Sequence, residues 1–156
     1  MIRVCELFRV FLGFVMIVAF FGKGIDLEEF EVELKTLVLP FLTVFTRKIH
    51  ESQALVKWIE PFLLPMALLT LLIESFIGFF LLFRVYVRVS AFMLILLLML
   101  FTSILVINLL YSNSELKTCG CFGVLWEEPI TWWSVGRNVV LIGMAWIVYR
   151  SEASRK

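Results

Sequence analysis

Two cysteines separated by one glycine, Cys119-Gly120-Cys121, are the residues of this sequence best suited to chemistry. Gly120 can serve as a hinge because glycine adopts backbone angles that other residues avoid, so the two thiols can close a small ring. A strained, exposed disulfide has a more oxidising potential. A bridge across so short a loop also constrains little of the unfolded chain. The spacing therefore favours a redox-active or partner-linked catalytic pair over a structural one.

A metal site is not predicted at this pair. Two cysteines without a nearby histidine cannot complete a tetrahedral zinc site, and the single histidine, His50, lies in a distant segment. The third cysteine, Cys5, stands near the start of an apolar segment and is expected to be a small buried apolar residue.

A second candidate for chemistry is Glu74, the only charged residue in the apolar segment Pro61–Phe83. An ionisable group inside a membrane span is costly, so we expect Glu74 to face the interior of a helix bundle and to have a partner. Arg137, in the last apolar segment, is the predicted partner. Asn138, Thr102 and Ser103 are the residues expected to complete this intramembrane polar cluster. Its role is left open between an ion pair that locks the bundle, a proton or quinone site, and a contact to another subunit.

The composition requires a membrane to hold these residues. Of the 156 residues, 62% are hydrophobic and 17% charged, whereas soluble domains have about 45–50% apolar and about 25% charged residues. A soluble chain of this length could not bury so much apolar surface. We therefore predict an all-α integral membrane protein that forms a single domain over residues 1–156. With a net charge of +1 and no basic face, nucleic acid is not an expected partner.

Four apolar segments predict a four-transmembrane-helix bundle. Their predicted bounds are about 2–22, 61–83, 89–111 and 129–149. The two middle segments are long enough to cross a hydrocarbon core of ~30 Å. The first segment begins with charged residues that can snorkel to the interface, and the last contains Arg137. Small residues of a cleavage site are missing before Lys23, so the first segment is interpreted as retained and not as a cleaved signal peptide.

An amphipathic segment is predicted between the first two spans, roughly over Lys23–Glu60. Asp26 and Glu29 suit a helix start, and Pro40 interrupts the pattern before a second piece over about Phe41–Ile59. One helical face carries Leu27, Phe30, Leu34, Leu37 and Val38. We expect these pieces to lie in the membrane interface or to cap the bundle.

The orientation follows from the short connection between the middle spans, which contains Arg84 and Arg88. Basic residues in short loops favour the cytoplasmic side, although the total Lys and Arg counts of the two sides are equal. The prediction is a multi-pass protein of the bacterial inner membrane with both termini in the cytoplasm. Cys119 and Cys121 then face the periplasm, where disulfides persist.

The whole pattern resembles the MauE-like (methylamine utilisation) branch of the DoxX-like membrane proteins. The matching residues are Gly22-Lys23, Pro65, Glu74, Gly78, Phe101-Thr102, Cys119–Gly123 and Arg137-Asn138. The resemblance implies a four-helix membrane bundle that assists the maturation of periplasmic proteins. MauE-like proteins are associated with disulfide formation in the small subunit of methylamine dehydrogenase, alongside a thioredoxin-like partner. By the same resemblance Cys119 and Cys121 exchange disulfides, and Glu74, Arg137 and Asn138 are core polar residues.

Two functions remain open at this point. The first is a thiol–disulfide oxidoreductase that needs a periplasmic thioredoxin-like partner or client, because the sequence lacks the second cysteine pair of a self-contained relay. A quinone is a candidate electron acceptor, although no residue pattern identifies a cofactor site. The second is a non-catalytic membrane subunit that docks or anchors a periplasmic protein or lipoprotein through the cysteine loop and the acidic stretch Asp26–Glu33.

Overall fold

The computed structural model describes residues 2–25, 27, 30, 32, 34, 35, 49–111 and 132–153. Apart from a short turn at 83–86, these residues are helical, which confirms the all-α prediction for the described part of the chain. The four long helices are α1 (Ile2–Ile25), α2 (Ile49–Leu82), α3 (Val87–Tyr111) and α4 (Trp132–Ala153).

Three of these helices are long and apolar enough to cross a membrane. Their candidate spans are Val4–Ile25 in α1, Pro61–Leu82 in α2 and Val87–Leu110 in α3. Large apolar side chains such as Phe14, Phe76 and Leu100 are exposed on their outer faces, where they would contact lipid. Helix α4 is less apolar and is not among the candidate spans in the described residues. The prediction of a fourth span is therefore not confirmed.

Helix α2 is longer than its membrane span. The predicted span start at Pro61 agrees with the apolar part of the helix, but the helix itself begins at Ile49 and continues through Pro61 and Pro65. The second amphipathic piece, predicted over about Phe41–Ile59 as leading into the second span, is from Ile49 onward the first part of this continuous helix. Proline is tolerated inside membrane helices because neighbouring groups satisfy the freed backbone carbonyls.

The four helices form a closed ring in which neighbours in sequence are neighbours in space. The closest packing is between α1 and α2 and between α3 and α4, while α1 also contacts α4 and α2 contacts α3. The central core contains residues from all four helices, including Leu12, Leu81, Leu94 and Ala145. Such a ring is the up-down-up-down arrangement of a four-helix bundle.

The backbones of α1 and α2 approach most closely at Gly13 and Gly78. A Cβ atom on Gly13 would lie 3.1 Å from the Gly78 carbonyl oxygen, and one on Gly78 would lie 3.2 Å from the Gly13 carbonyl oxygen. Glycine allows this distance because it has no side chain, as in other membrane helix pairs.

The turn between α2 and α3 ends α2 with a left-handed residue. Arg84 has φ 60° and Tyr86 has φ 48°. The Val85 amide donates to the Phe80 carbonyl at 3.0 Å, which is the six-to-one hydrogen bond of a Schellman cap with Arg84 in the left-handed position. Such a cap satisfies a backbone carbonyl at the end of the helix.

Part of the predicted amphipathic segment packs against α2. Phe30 and Leu34 are buried in a small apolar cluster with Leu63, Ala67 and Leu71 of α2, and Leu27 packs against its edge. The shared face of Leu27, Phe30 and Leu34 is therefore confirmed. The expectations for Asp26, Glu29, Leu37, Val38, Pro40 and residues 41–48 lie outside the described residues.

Candidate functional site

A buried ion pair joins α1 to α2. The Lys23 ammonium donates a hydrogen bond to Glu74 Oε1, with Lys23 only 1% exposed and Glu74 3%. Removing two charges from water costs several kcal/mol per ion, and their attraction offsets this cost only with good geometry and further hydrogen bonds. The surroundings of the pair therefore decide how well it is stabilised.

The helix geometry explains why these two side chains meet. Lys23 lies ten positions along α1 from Gly13, whereas Glu74 lies four positions along α2 from Gly78, so their Cα atoms are offset by about 9 Å along the helices. Helical side chains lean toward the N-terminus of their own helix. Because α1 and α2 are antiparallel, Lys23 and Glu74 lean toward each other and close this offset.

Two aromatic rings complete the surroundings of the ammonium group. Lys23 Nζ lies 5.2 Å from the ring centroid of Phe30 and 5.2 Å from that of Phe101. A desolvated cation over an aromatic face gains about 2 kcal/mol. Lys23 thus contacts α2 through Glu74, α3 through Phe101 and, beyond the C-terminal end of α1, the ring of Phe30.

A small cavity of about 30 Å³ lies beside the ion pair. All four helices contribute to its lining, which contains Val15, Met16, Ala19, Lys23, Glu74, Leu97, Leu98, Phe101, Asn138 and Leu141. Asn138 is 2% exposed. Its Nδ2 atom and Glu74 Oε2 both lack a hydrogen-bond partner among the described residues. The cavity therefore combines an ion pair, a carboxamide and unused hydrogen-bonding capacity in an otherwise apolar core.

Comparison with known proteins places this bundle in a family. The family model described as methylamine utilisation protein MauE matches residues 1–150. The chain belongs to the MauE family. Neither the curated proteins nor the solved structures contain a match. The predicted family is confirmed over nearly the whole chain, and the apolar helices make this MauE-family chain a membrane protein.

The partner of Glu74 differs from the one predicted for this MauE-family chain. Glu74 is buried and paired as expected, but the carboxylate binds Lys23, so the expected Glu74–Arg137 pair is corrected. Arg137 itself is half-buried on α4. The sequence did contain a signal for Lys23: a basic residue in the last turn of α1 leans back into the bundle.

The remaining members of the predicted polar cluster divide into two groups. Asn138 lines the same cavity as Glu74, as the sequence suggested. Thr102 instead donates to the Leu98 carbonyl at 2.6 Å, and Ser103 donates to the Met99 carbonyl at 2.8 Å, both within α3. Hydroxyl groups in membrane helices commonly satisfy themselves in this way. A joint functional role of Glu74, Arg137, Asn138 and Thr102 stays a prediction.

The predicted catalytic residues Cys119, Gly120 and Cys121 lie outside the described residues. Cys5 is half-buried, and its Sγ lies 3.9 Å from the Ile147 carbonyl oxygen. Within the described ranges, no group of three or more His, Cys, Asp or Glu side chains is placed to hold a metal ion.

Proposed function

We propose that this MauE-family protein exchanges disulfides with a periplasmic partner through Cys119 and Cys121. The observation that best supports this function is the position of the helices flanking the cysteine segment. Helix α3 ends at Tyr111 and α4 begins at Trp132. Both lie at the end of the bundle where α1 ends, which is the end that contains Lys23. The extensive packing of α3 on α4 means that the cysteine segment connects two neighbouring helices of the bundle.

The proposed exchange conserves electrons and protons between two dithiol–disulfide pairs. A thiolate of the partner attacks one sulfur of the Cys119–Cys121 disulfide, forming a mixed disulfide and releasing the other cysteine as a thiolate. A second thiol of the partner then resolves the mixed disulfide. The partner leaves oxidised, and two electrons and two protons remain on Cys119 and Cys121. The disulfide of a thioredoxin-like protein reoxidises the pair by the reverse sequence of steps.

A quinone is not required by this scheme, and the cavity beside Glu74 does not favour one. Sites for cofactors are typically about 300–1,000 Å³ in volume, whereas this cavity is about 30 Å³. The Lys23–Glu74 pair is better suited to holding α1, α2 and α3 together than to binding a quinone ring.

The proposal includes a fourth membrane span and one membrane domain for the chain. Helix α4 runs antiparallel along α3: Tyr149 contacts Arg88 and Phe92 near the start of α3, while Asn138 and Leu141 line the cavity with Leu97 and Leu98 further along it. This packing along a spanning helix supports a fourth span through the same bilayer. Both termini then lie in the cytoplasm of a bacterial inner membrane, with the cysteine segment on the periplasmic side.

Thiol labelling in intact cells tests the function and the orientation together. A membrane-impermeant thiol reagent is applied before and after mild reduction, with mass spectrometric readout on the Cys5→Ser variant, so that only Cys119 and Cys121 can react. We expect labelling only after reduction, and re-formation of the disulfide when the reductant is removed. Cysteines that remain unlabelled after reduction would exclude a periplasmic pair.

A docking subunit without redox activity is the second candidate function. Phe30 and Leu34 pack against α2, while Val32 between them is 62% exposed and available to a partner. Replacing Cys119 and Cys121 by serine separates the two functions. Loss of client oxidation in an assembled complex supports exchange, and unchanged maturation of the client supports docking.

A further inference from the structure

The cavity beside the ion pair has the properties of a binding site. Neither membership of the family nor the proposed thiol exchange gives this cavity a role. Glu74 Oε2 and Asn138 Nδ2 are both buried and lack partners among the described residues, and both side chains line the same 30 Å³ space. One is an acceptor and the other a donor. Leaving such atoms unpaired in an apolar interior destabilises the folded state.

We propose that this cavity is a binding site for water, which bridges the carboxylate of Glu74 to the carboxamide of Asn138. A water molecule donates to Glu74 Oε2 and accepts from Asn138 Nδ2, satisfying both atoms at once. The cavity is large enough, because a single water needs about 10–15 Å³ of this kind of volume. Buried waters also need two to four polar partners, and Lys23 supplies a third beside Glu74 and Asn138.

The bridging water has a structural consequence for the bundle. Lys23 and Glu74 belong to α1 and α2, whereas Asn138 belongs to α4. The water therefore connects the ion pair to a helix that the pair itself does not reach. It also supplies the additional hydrogen bond that a buried carboxylate needs to remain stable as an ion.

Radiolytic footprinting in lipid nanodiscs tests this site on the unmodified protein. Hydroxyl radicals formed from a bound water oxidise the side chains next to it, so Met16, which lines the cavity and is only 6% exposed, reports on its hydration. Met144 is more exposed and lines a separate apolar groove, which makes it the internal reference. In ¹⁸O-labelled water we expect Met16 to be oxidised several-fold faster than Met144. Oxidation of Met16 no faster than that of Met144 would overturn the proposal.

Two variants sharpen the test. Ala19→Val fills the cavity with methyl groups and is expected to abolish the excess oxidation of Met16. Asn138→Leu removes one partner of the water and leaves Glu74 Oε2 unsatisfied, so thermal stability should fall. A dry cavity predicts the opposite sign for Asn138→Leu, because the substitution then removes a buried Nδ2 donor that has no partner among the described residues. A more stable Asn138→Leu protein would therefore reject the water site even if the proposed thiol exchange is correct.

Discussion

Gly13 and Gly78 face each other where α1 crosses α2, and a Cβ atom at either position would lie closer to its neighbours than ordinary van der Waals contact allows. A Cβ atom on Gly13 would lie 2.9 Å from Leu82 Cγ, and a Cβ atom on Gly78 would lie 3.1 Å from Ile17 Cγ1. This contact sets the register between the two helices. The register in turn determines which residues on α1 and α2 can meet on either side of the crossing.

Substitution of either glycine by alanine should destabilise the bundle. Gly13→Ala and Gly78→Ala force the helices apart, and overpacking of this kind costs about 1–3 kcal/mol. Gly143→Ala in α4 is the matched control, because nothing lies within 4 Å of a Cβ atom there. Alanine in place of glycine within a helix should then stabilise by about 0.5–1 kcal/mol. Thermal unfolding in a mild detergent measures both effects, and equal shifts for the three variants would contradict the close contact.

Arg9 ties α1 to the end of α2 on the other side of the glycine contact. Its guanidinium donates to the carbonyl oxygens of Leu81 and Leu82, in the last turn of α2. These carbonyls have no intrahelical partner and carry the negative end of the helix dipole. Arg9→Met should therefore lower the free energy of unfolding by about 1.5–3 kcal/mol, the value of hydrogen bonds to a charged group.

The variant Arg9→Lys separates charge from geometry at this position. An ammonium group keeps the favourable charge near the helix end, but it sits on a flexible stem and does not reproduce the rigid guanidinium whose Nη1 donates to both carbonyls. We expect its stability, measured by the same detergent unfolding, to lie between those of the parent protein and Arg9→Met. Stability equal to the parent would show that charge alone accounts for the contact.

The sequence predicted the membrane bundle well because lipid-facing helices need long apolar runs, which are visible without tertiary information. It also predicted that Glu74 would be buried and paired, since the cost of a charge in a span is a local property. The sequence did not identify Lys23 as the partner of Glu74, because Lys23 and Arg137 both lie near the same end of the bundle and either could reach the carboxylate. Only the register set by Gly13 and Gly78 shows that Lys23 leans onto Glu74.

The turn at Arg84 offers a gain in stability. An L-residue in the left-handed region costs about 1–2 kcal/mol, which glycine avoids, and Arg84 has φ 60° there. Its contact with Glu6, at 3.5 Å between exposed side chains, contributes little. Arg84→Gly should therefore raise the unfolding temperature. Arg84→Ala, which loses the same contact but keeps the backbone cost, should not. A higher unfolding temperature for both variants would point to the charge and not to the backbone.

The Lys23–Glu74 pair predicts strong coupling between two substitutions. Removing one partner leaves an uncompensated buried charge, so Lys23→Met and Glu74→Leu should each destabilise, with about 3–5 kcal/mol expected for Lys23→Met, which leaves the carboxylate alone. Replacing both residues by apolar ones of similar size, Lys23→Met with Glu74→Leu, should recover most of the loss, because the desolvation cost disappears with the charges. A double-mutant cycle on unfolding free energies measures this coupling. Additive losses in the double variant would mean that the two side chains contribute to the bundle independently, and that the ion pair does not hold α1 against α2.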